Sequence, residues 1–332
     1  MGPVRLVSIA AALAAGGLAV ALTAGAAGAQ GSDPPLRAQR WLAPKTDVVA
    51  ALTRAPAECL TLPADPARRL SVEVGRAAFR TPVVLGGQAA RAGIACENCH
   101  RSGRTNPDFL FPGVSGAPGT ADVTSSLFST HRGDGIDNPK PIPDLGGEKA
   151  KLKIAQAPEG HALETFIHGL VTEEFDGPEP APAVLQGLAD YVRALSPMAC
   201  PKTPTAPVTL AGLMDDTRRA LGAAGALIER GDRPAAATMV AAARARLFLI
   251  DERYAGPALA ADRERLRAAD RQLAEVAEAV RTAAPDARAR LSAWRAQSPV
   301  LEAALARDER RSLFDGRRLA AAVQGRLPGK AS

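Results

Sequence analysis

Gly93-Ile94-Ala95-Cys96-Glu97-Asn98-Cys99-His100 is the stretch that decides how this chain is read. Two cysteines stand three positions apart, and a histidine follows the second directly. On one helical turn that spacing puts both thiols on the same face, with the imidazole beside them. A C-x-x-C pair alone also serves redox dithiols and zinc sites. Zinc needs further ligands close by, and no second C-x-x-C or H-x-x-x-H follows. A thioredoxin-like dithiol needs a βαβ setting, and the flanks here are rich in Gly and Pro instead. With His100 included the pattern is C-x-x-C-H, the attachment sequence of a c-type haem. The reading is therefore one covalent haem c, anchored through Cys96 and Cys99, with His100 as the proximal axial ligand of the iron.

The N-terminus agrees with this chemistry. Arg5 precedes an apolar run from Leu6 to Thr23, and Ala27-Gly28-Ala29 stands before Gln30. This reads as a secretory signal over 1–29 with an A-x-A cleavage site. The alternative is an uncleaved membrane anchor, since the apolar run approaches spanning length. No later run does, so no transmembrane segment is expected after cleavage. Haem attachment takes place outside the cytoplasm, and the expected location is the periplasm. Free thiols are unusual in an oxidising compartment. Cys59 and Cys200 are the two cysteines left over, and they bracket the motif. A Cys59–Cys200 disulfide is expected, with two buried free thiols as the alternative.

A chain of 332 residues has room for about two domains. Its hydrophobic fraction is 46% but only 4% is aromatic, so Ala, Leu and Val must do most of the packing. The formal charge is +6. The charges are interspersed and form no Lys/Arg block, which argues against a nucleic-acid partner.

The expected fold is all-α: a loop-rich cytochrome c-type haem domain followed by an antiparallel helical bundle. A loosely structured lead covers 30–55, the haem domain 56–200, a Pro-rich linker 201–207, and a bundle of four or five helices 208–328. Within the haem domain, helices are expected from Val72 to Phe79, Gln88 to Cys99, Leu163 to Leu170 and Pro182 to Leu195. Residues 103–147 are dense in turn formers such as Asn106-Pro107, Pro112-Gly113 and Gly133-Asp134-Gly135. Irregular stretches of that length usually line a site or wrap a ligand. In the bundle, Leu259, Leu266, Leu273 and Val280 repeat at heptad spacing. A last helix is expected to hold Leu313, Phe314, Leu319 and Val323. The bundle carries no histidine or cysteine and reads as scaffold or docking module.

The motif and the runs on either side of it carry a resemblance. Val74-Gly75-Arg76-Ala77-Ala78-Phe79, Leu85-Gly86-Gly87 and Gly93 to His100 are similar to the approach to the haem motif in bacterial cytochrome c peroxidases and MauG-type proteins. Ile142-Pro143-Asp144-Leu145, Leu163 to Ile167 and the helix Val184 to Leu195 look like the tail of one such domain. The resemblance covers about residues 70–196. Those peroxidases carry two haems, one reacting with peroxide and one supplying electrons. This chain has one C-x-x-C-H, so the resemblance implies a single haem domain.

The iron's other face decides function. Met or His there gives a closed electron carrier, and an open face admits peroxide or small ligands. The resemblance points to His168 as distal ligand, close after the Leu163 to Ile167 segment, although Leu170 falls nearer the family's ligand position. His131, Met198 and an open face are the alternatives. Arg101 or Arg104 could pair with a haem propionate, and Glu173 and Glu174 could handle protons beside an open haem. In each case a solvated side chain is the plainer reading. The expected function is one-electron transfer by a mono-haem c-type cytochrome. Its partners would be a periplasmic redox protein and the haem-attachment machinery. A peroxidase-like enzyme is the first alternative, and a haem-based sensor or scaffold the second.

Overall fold

The computed structural model describes Gly2, Leu36 and residues 41–131, 135–146 and 152–325. Apart from Gly2, the export signal read at 1–29 lies outside the described residues, as do most of 30–40, residues 132–134 and 147–151, and the end of the bundle beyond 325. The chain is mostly helical and rich in loops, with little strand. No helix among the described residues is long and apolar enough to cross a membrane.

Two helices frame the motif region. Helix α1 (Val48–Thr53) leads into strand β1 (Arg54–Pro56), and α2 (Pro66–Phe79) follows. The start of α2 lies well before Val72 because Asp65 caps it, accepting the Arg68 N–H at 2.8 Å, and Pro66 occupies its first turn. Its apolar face buries Val72, Val74, Ala78 and Phe79. Helix α3 (Gly87–Ala92) and the single turn α4 (Cys96–Cys99) replace the continuous helix expected from Gln88 to Cys99. The break is at Gly93, whose φ of 76° is left-handed and ends α3.

Two short hairpins follow. The first pairs β2 (His100–Arg101) with β3 (Arg104–Thr105), and the second β4 (Thr120–Ala121) with β5 (Lys140–Pro141). The turn-rich segment around them contributes a run of aromatic rings to the main core. Rings run Trp41–Phe111 (4.1 Å), Phe111–Phe128 (5.1 Å) and Phe128–Phe175 (5.4 Å). Helix α5 (Ala162–Gly169) continues into a π turn over Leu170–Glu174, and α6 (Pro182–Ala194) then crosses α2. The crossing is backbone to backbone. A Cβ on Gly75 would stand 1.7 Å from the Gly187 carbonyl oxygen. Cys59 and Cys200 are joined, with an S–S distance of 2.04 Å.

The segment 201–207, read as a linker, contains β6 (Thr205–Pro207), which pairs antiparallel with β1. It is thereby tied back to the end of the lead. Helices α7 (Leu210–Glu229), α8 (Arg233–Arg253), α9 (Ala260–Arg281) and α10 (Ala287–Ala306) form the bundle. Each packs on the next, and α10 returns to α7. Thr209 and Asp232 cap α7 and α8. Leu259, Leu266, Leu273 and Val280 are all buried, as their spacing requires. Two indole and phenol bonds lock the ring: Trp294 Nε1 donates to Ala269 O at 3.0 Å and Tyr254 Oη to Leu305 O at 2.7 Å. The last helix, α11 (Gly316–Gln324), packs on α1 in a satellite core of Leu36, Leu52, Leu313 and Leu319. Meanwhile α2 lies on α7 and α8, so one hydrophobic core runs from the motif region into the bundle.

Candidate haem-attachment site

The motif is held by its own polar side chains. Asn98 Oδ1 accepts the Ala95 N–H at 2.7 Å and caps the turn. The Asn98 and Cys99 carbonyls accept from the Asn106 side-chain amide (2.8 Å) and backbone N–H (3.0 Å). Glu97 Oε1 accepts the Ser102 N–H at 3.1 Å. Cys96 and Cys99 are free, half-buried and packed on the main core. Burial pushes both thiols up to about 12. They stay protonated at neutral pH, the opposite of the activated thiolate that a redox dithiol requires.

His100 leaves the turn as the first residue of β2. Its Nδ1 lies 3.0 Å from the carbonyl oxygen of Pro143. A carbonyl only accepts, so Nδ1 carries the proton and Nε2 keeps its lone pair. This is the arrangement of a metal-ligating imidazole, in which the far nitrogen donates to a backbone carbonyl that fixes tautomer and ring orientation. Burial lowers the imidazole pKa to about 4, against the raising effects of the Pro143 carbonyl and Asp144. The ring is therefore neutral at pH 7. Phe79 lies beside it, 6.4 Å between centroids, and Tyr191 packs on Phe79 at 5.1 Å.

The Pro143 carbonyl is itself positioned by its neighbours. Thr105 Oγ1 donates to Ile142 O at 2.8 Å, and Leu145 N donates to Gly103 O at 3.0 Å. Arg104 Nε grips the Asp144 carboxylate at 2.9 and 3.0 Å, and its Nη1 reaches Cys59 Sγ at 3.4 Å. Arg104 is thus committed to Asp144. Arg101 donates to the carbonyls of Ala51 (2.5 Å) and Arg54 (2.6 Å).

Behind the motif lies an ion-pair network that sequence reading missed. Arg80 reaches Glu58 (2.8 Å), Glu97 (3.4 Å) and Asp216 of α7 (3.7 Å). Glu58 also receives Arg76 and the Tyr191 hydroxyl, the latter at 2.7 Å. Burial pushes the Glu58 carboxyl up, but Arg80 and Arg76 outweigh it and hold the group below its usual range. Arg80, Tyr191 and Asp216 carry no motif. Only folding brings them together.

The candidate distal residues lie as follows. His168, on α5, has its Nε2 2.8 Å from Glu179 Oε2. His131 is exposed, with Nε2 3.8 Å from Asp176. Met198 is 94% exposed. Among the described residues no hydrogen bond or ring contact joins any of the three to His100. Glu173 and Glu174 lie in the π turn, where the Glu173 carbonyl accepts the Ser129 hydroxyl. No group of three or more His, Cys, Asp or Glu among the described residues is arranged to hold a metal ion by itself. A haem iron needs only axial ligands from the chain, and two free thiols beside a neutral, tautomer-fixed imidazole fit that demand. No protein-family model, curated protein or solved structure matches the chain.

Proposed function

We propose that this protein is an exported mono-haem c-type cytochrome. It would be built as one haem domain of the cytochrome c peroxidase and MauG type carried on a helical bundle, and would transfer single electrons. The observation that carries the reading is the His100 Nδ1 to Pro143 carbonyl bond of 3.0 Å within C-x-x-C-H, which leaves Nε2 free to ligate. A haem attached there supplies a ferric–ferrous couple. Cys96 and Cys99 would hold it by thioether bonds, and His100 would ligate the iron through Nε2. Asn98, Asn106 and Glu97 keep the turn wound so that the three groups stay in register.

A second reading, an iron with an open distal face that admits peroxide or a small ligand, draws support from the three candidate ligands. His168 and His131 face carboxylates and Met198 faces solvent. Recruiting either histidine to iron would require breaking its carboxylate contact.

The test is expression with the haem-attachment machinery, followed by mass and optical measurements. The expected result is the added mass of one haem, lost in Cys96→Ala/Cys99→Ala. A chain without added haem overturns the proposal. A ferrous spectrum unchanged by CO supports the carrier. A high-spin ferric iron that turns over peroxide supports the open-face reading. Loss of a low-spin signal in His168→Ala but not in His131→Ala would identify the distal ligand.

A further inference from the structure

A cavity of about 430 Å³ lies on the other side of the motif turn. It is lined by Glu97 and Asn98, the two residues between the cysteines, and not by Cys96, Cys99 or His100. Its far wall comes from α7 and α8, and its sides from α1 and the segment that follows β6. A volume of this size suits a small molecule.

The charge of its wall is unbalanced. Among the described lining residues, six arginines face four carboxylates. Three of those carboxylates are already engaged. Glu58, Glu97 and Asp216 are gathered by Arg76, Arg80 and Arg219. The fourth, Glu252, lies next to Arg253 and attracts it. That leaves three buried or half-buried guanidiniums with hydrogen bonds to backbone carbonyls only. Arg101 donates to Ala51 and Arg54, Arg246 to Arg80 O at 2.6 Å, and Arg253 to Leu52 O at 2.6 Å and Leu313 O at 3.2 Å. None of the three has a carboxylate within ion-pairing distance among the described residues. Each keeps further N–H donors, since a guanidinium has five. Burial lowers the pKa of all three, that of Arg253 to about 10, whereas that of Arg80, among its carboxylates, is raised. Arg253 is attracted by Glu252 and, more weakly, repelled by Arg101. Carboxylates attract the other two from farther off, Glu97 and Asp108 for Arg101, and Asp216 and Glu97 for Arg246. A buried charge with no directly paired carboxylate is nevertheless costly, and an oxyanion between the three would relieve the cost through forked hydrogen bonds. Trp41, Leu213 and Leu249 supply apolar wall for a carbon skeleton.

We propose that this cavity binds a small organic oxyanion with two or more negative charges, carried on carboxylate or phosphate groups, held by Arg101, Arg246 and Arg253. The ligand would lie between the back of the C-x-x-C-H turn and the bundle, and the proposal holds whether or not the motif carries haem.

Calorimetric titration of the full exported chain with citrate, and separately with inorganic phosphate, at constant ionic strength tests this. Saturable binding is expected, with the better probe identifying the headgroup. Arg246→Gln and Arg253→Gln are each expected to weaken it by about tenfold or more, and Val300→Ser, on the exposed face of α10, to leave it unchanged. Absence of saturable binding for both probes overturns the proposal, as does binding that the arginine variants retain in full. Hydrogen exchange on the wild-type chain covers the case of a variant that does not fold. Citrate should slow exchange in α8 and around Arg101–Arg104, and slowing confined to other segments overturns the proposal.

Discussion

His100 shows how one backbone carbonyl sets a side chain's chemistry. The Pro143 oxygen assigns the proton to Nδ1, and burial keeps the ring neutral down to about pH 4. The linkage has a definite sign. An unfolded chain takes up a proton near the ordinary value of 6.5, while the folded chain resists until about 4. Stability from this group is therefore present above pH 6.5 and lost as pH falls from 6.5 to 4. Urea midpoints of the haem-free chain should fall across that window, and His100→Gln should flatten the slope. An unchanged slope in the variant would remove His100 as the cause. Glu58 acts lower on the pH scale. Its carboxyl is held below the usual range, so its contribution is present at neutral pH and lost as pH falls through that depressed value. Glu58→Gln leaves Arg80 and Arg76 short of a counterion in a half-buried place, and should cost about 3 kcal/mol in a chemical denaturation series. The motif residues were legible in the sequence because the C-x-x-C-H pattern is set by residue type and spacing alone. Pro143 was quoted only as part of a similar run, since a backbone carbonyl leaves no signature in residue type.

At the scale of elements, the α2–α6 crossing is the tightest joint that frames the site. Gly75 and Gly187 let the two backbones touch, and α2 then carries Phe79 to His100 and Arg80 to Glu97. Gly75→Ala should destabilise the chain by about 3 kcal/mol through overpacking. Gly160→Ala, where a Cβ meets open space, is the control. Equal urea midpoints for the two variants would sink this account of the joint. The helical stripes of α6 and α9 were readable because burial of one face imposes a 3.6-residue period. The length of α2 and the break at Gly93 were not anticipated. The first depends on a cap at Asp65 beyond the apolar run, and the second on a left-handed glycine that periodicity does not register.

At the scale of the molecule, the disulfide and the β1–β6 pair close the same boundary. Cys59 and Cys200 are 141 residues apart. A link across so long a loop restricts the unfolded chain by roughly 4–5 kcal/mol in the chain-entropy account. Cys59→Ala/Cys200→Ala should lower the melting temperature accordingly, and a melt that matches the wild type would argue against that role. The bundle is tied to the motif region by a shared core, by Arg80 to Asp216 and by Arg246 to the Arg80 carbonyl. It closes as four helices because α11 finds its apolar partner in α1.

The sequence by itself determined the C-x-x-C-H pattern at Cys96, Cys99 and His100, the mostly helical class and the heptad stripe of α9. These follow from covalent spacing and helical periodicity, both of which are local along the chain. Only the tertiary structure decided which nitrogen of His100 carries the proton, where His168, His131 and Met198 lie, and how six arginines converge behind the motif. Each of these depends on groups tens to hundreds of residues apart, brought together by burial of apolar faces that specify no partner until the helices pack.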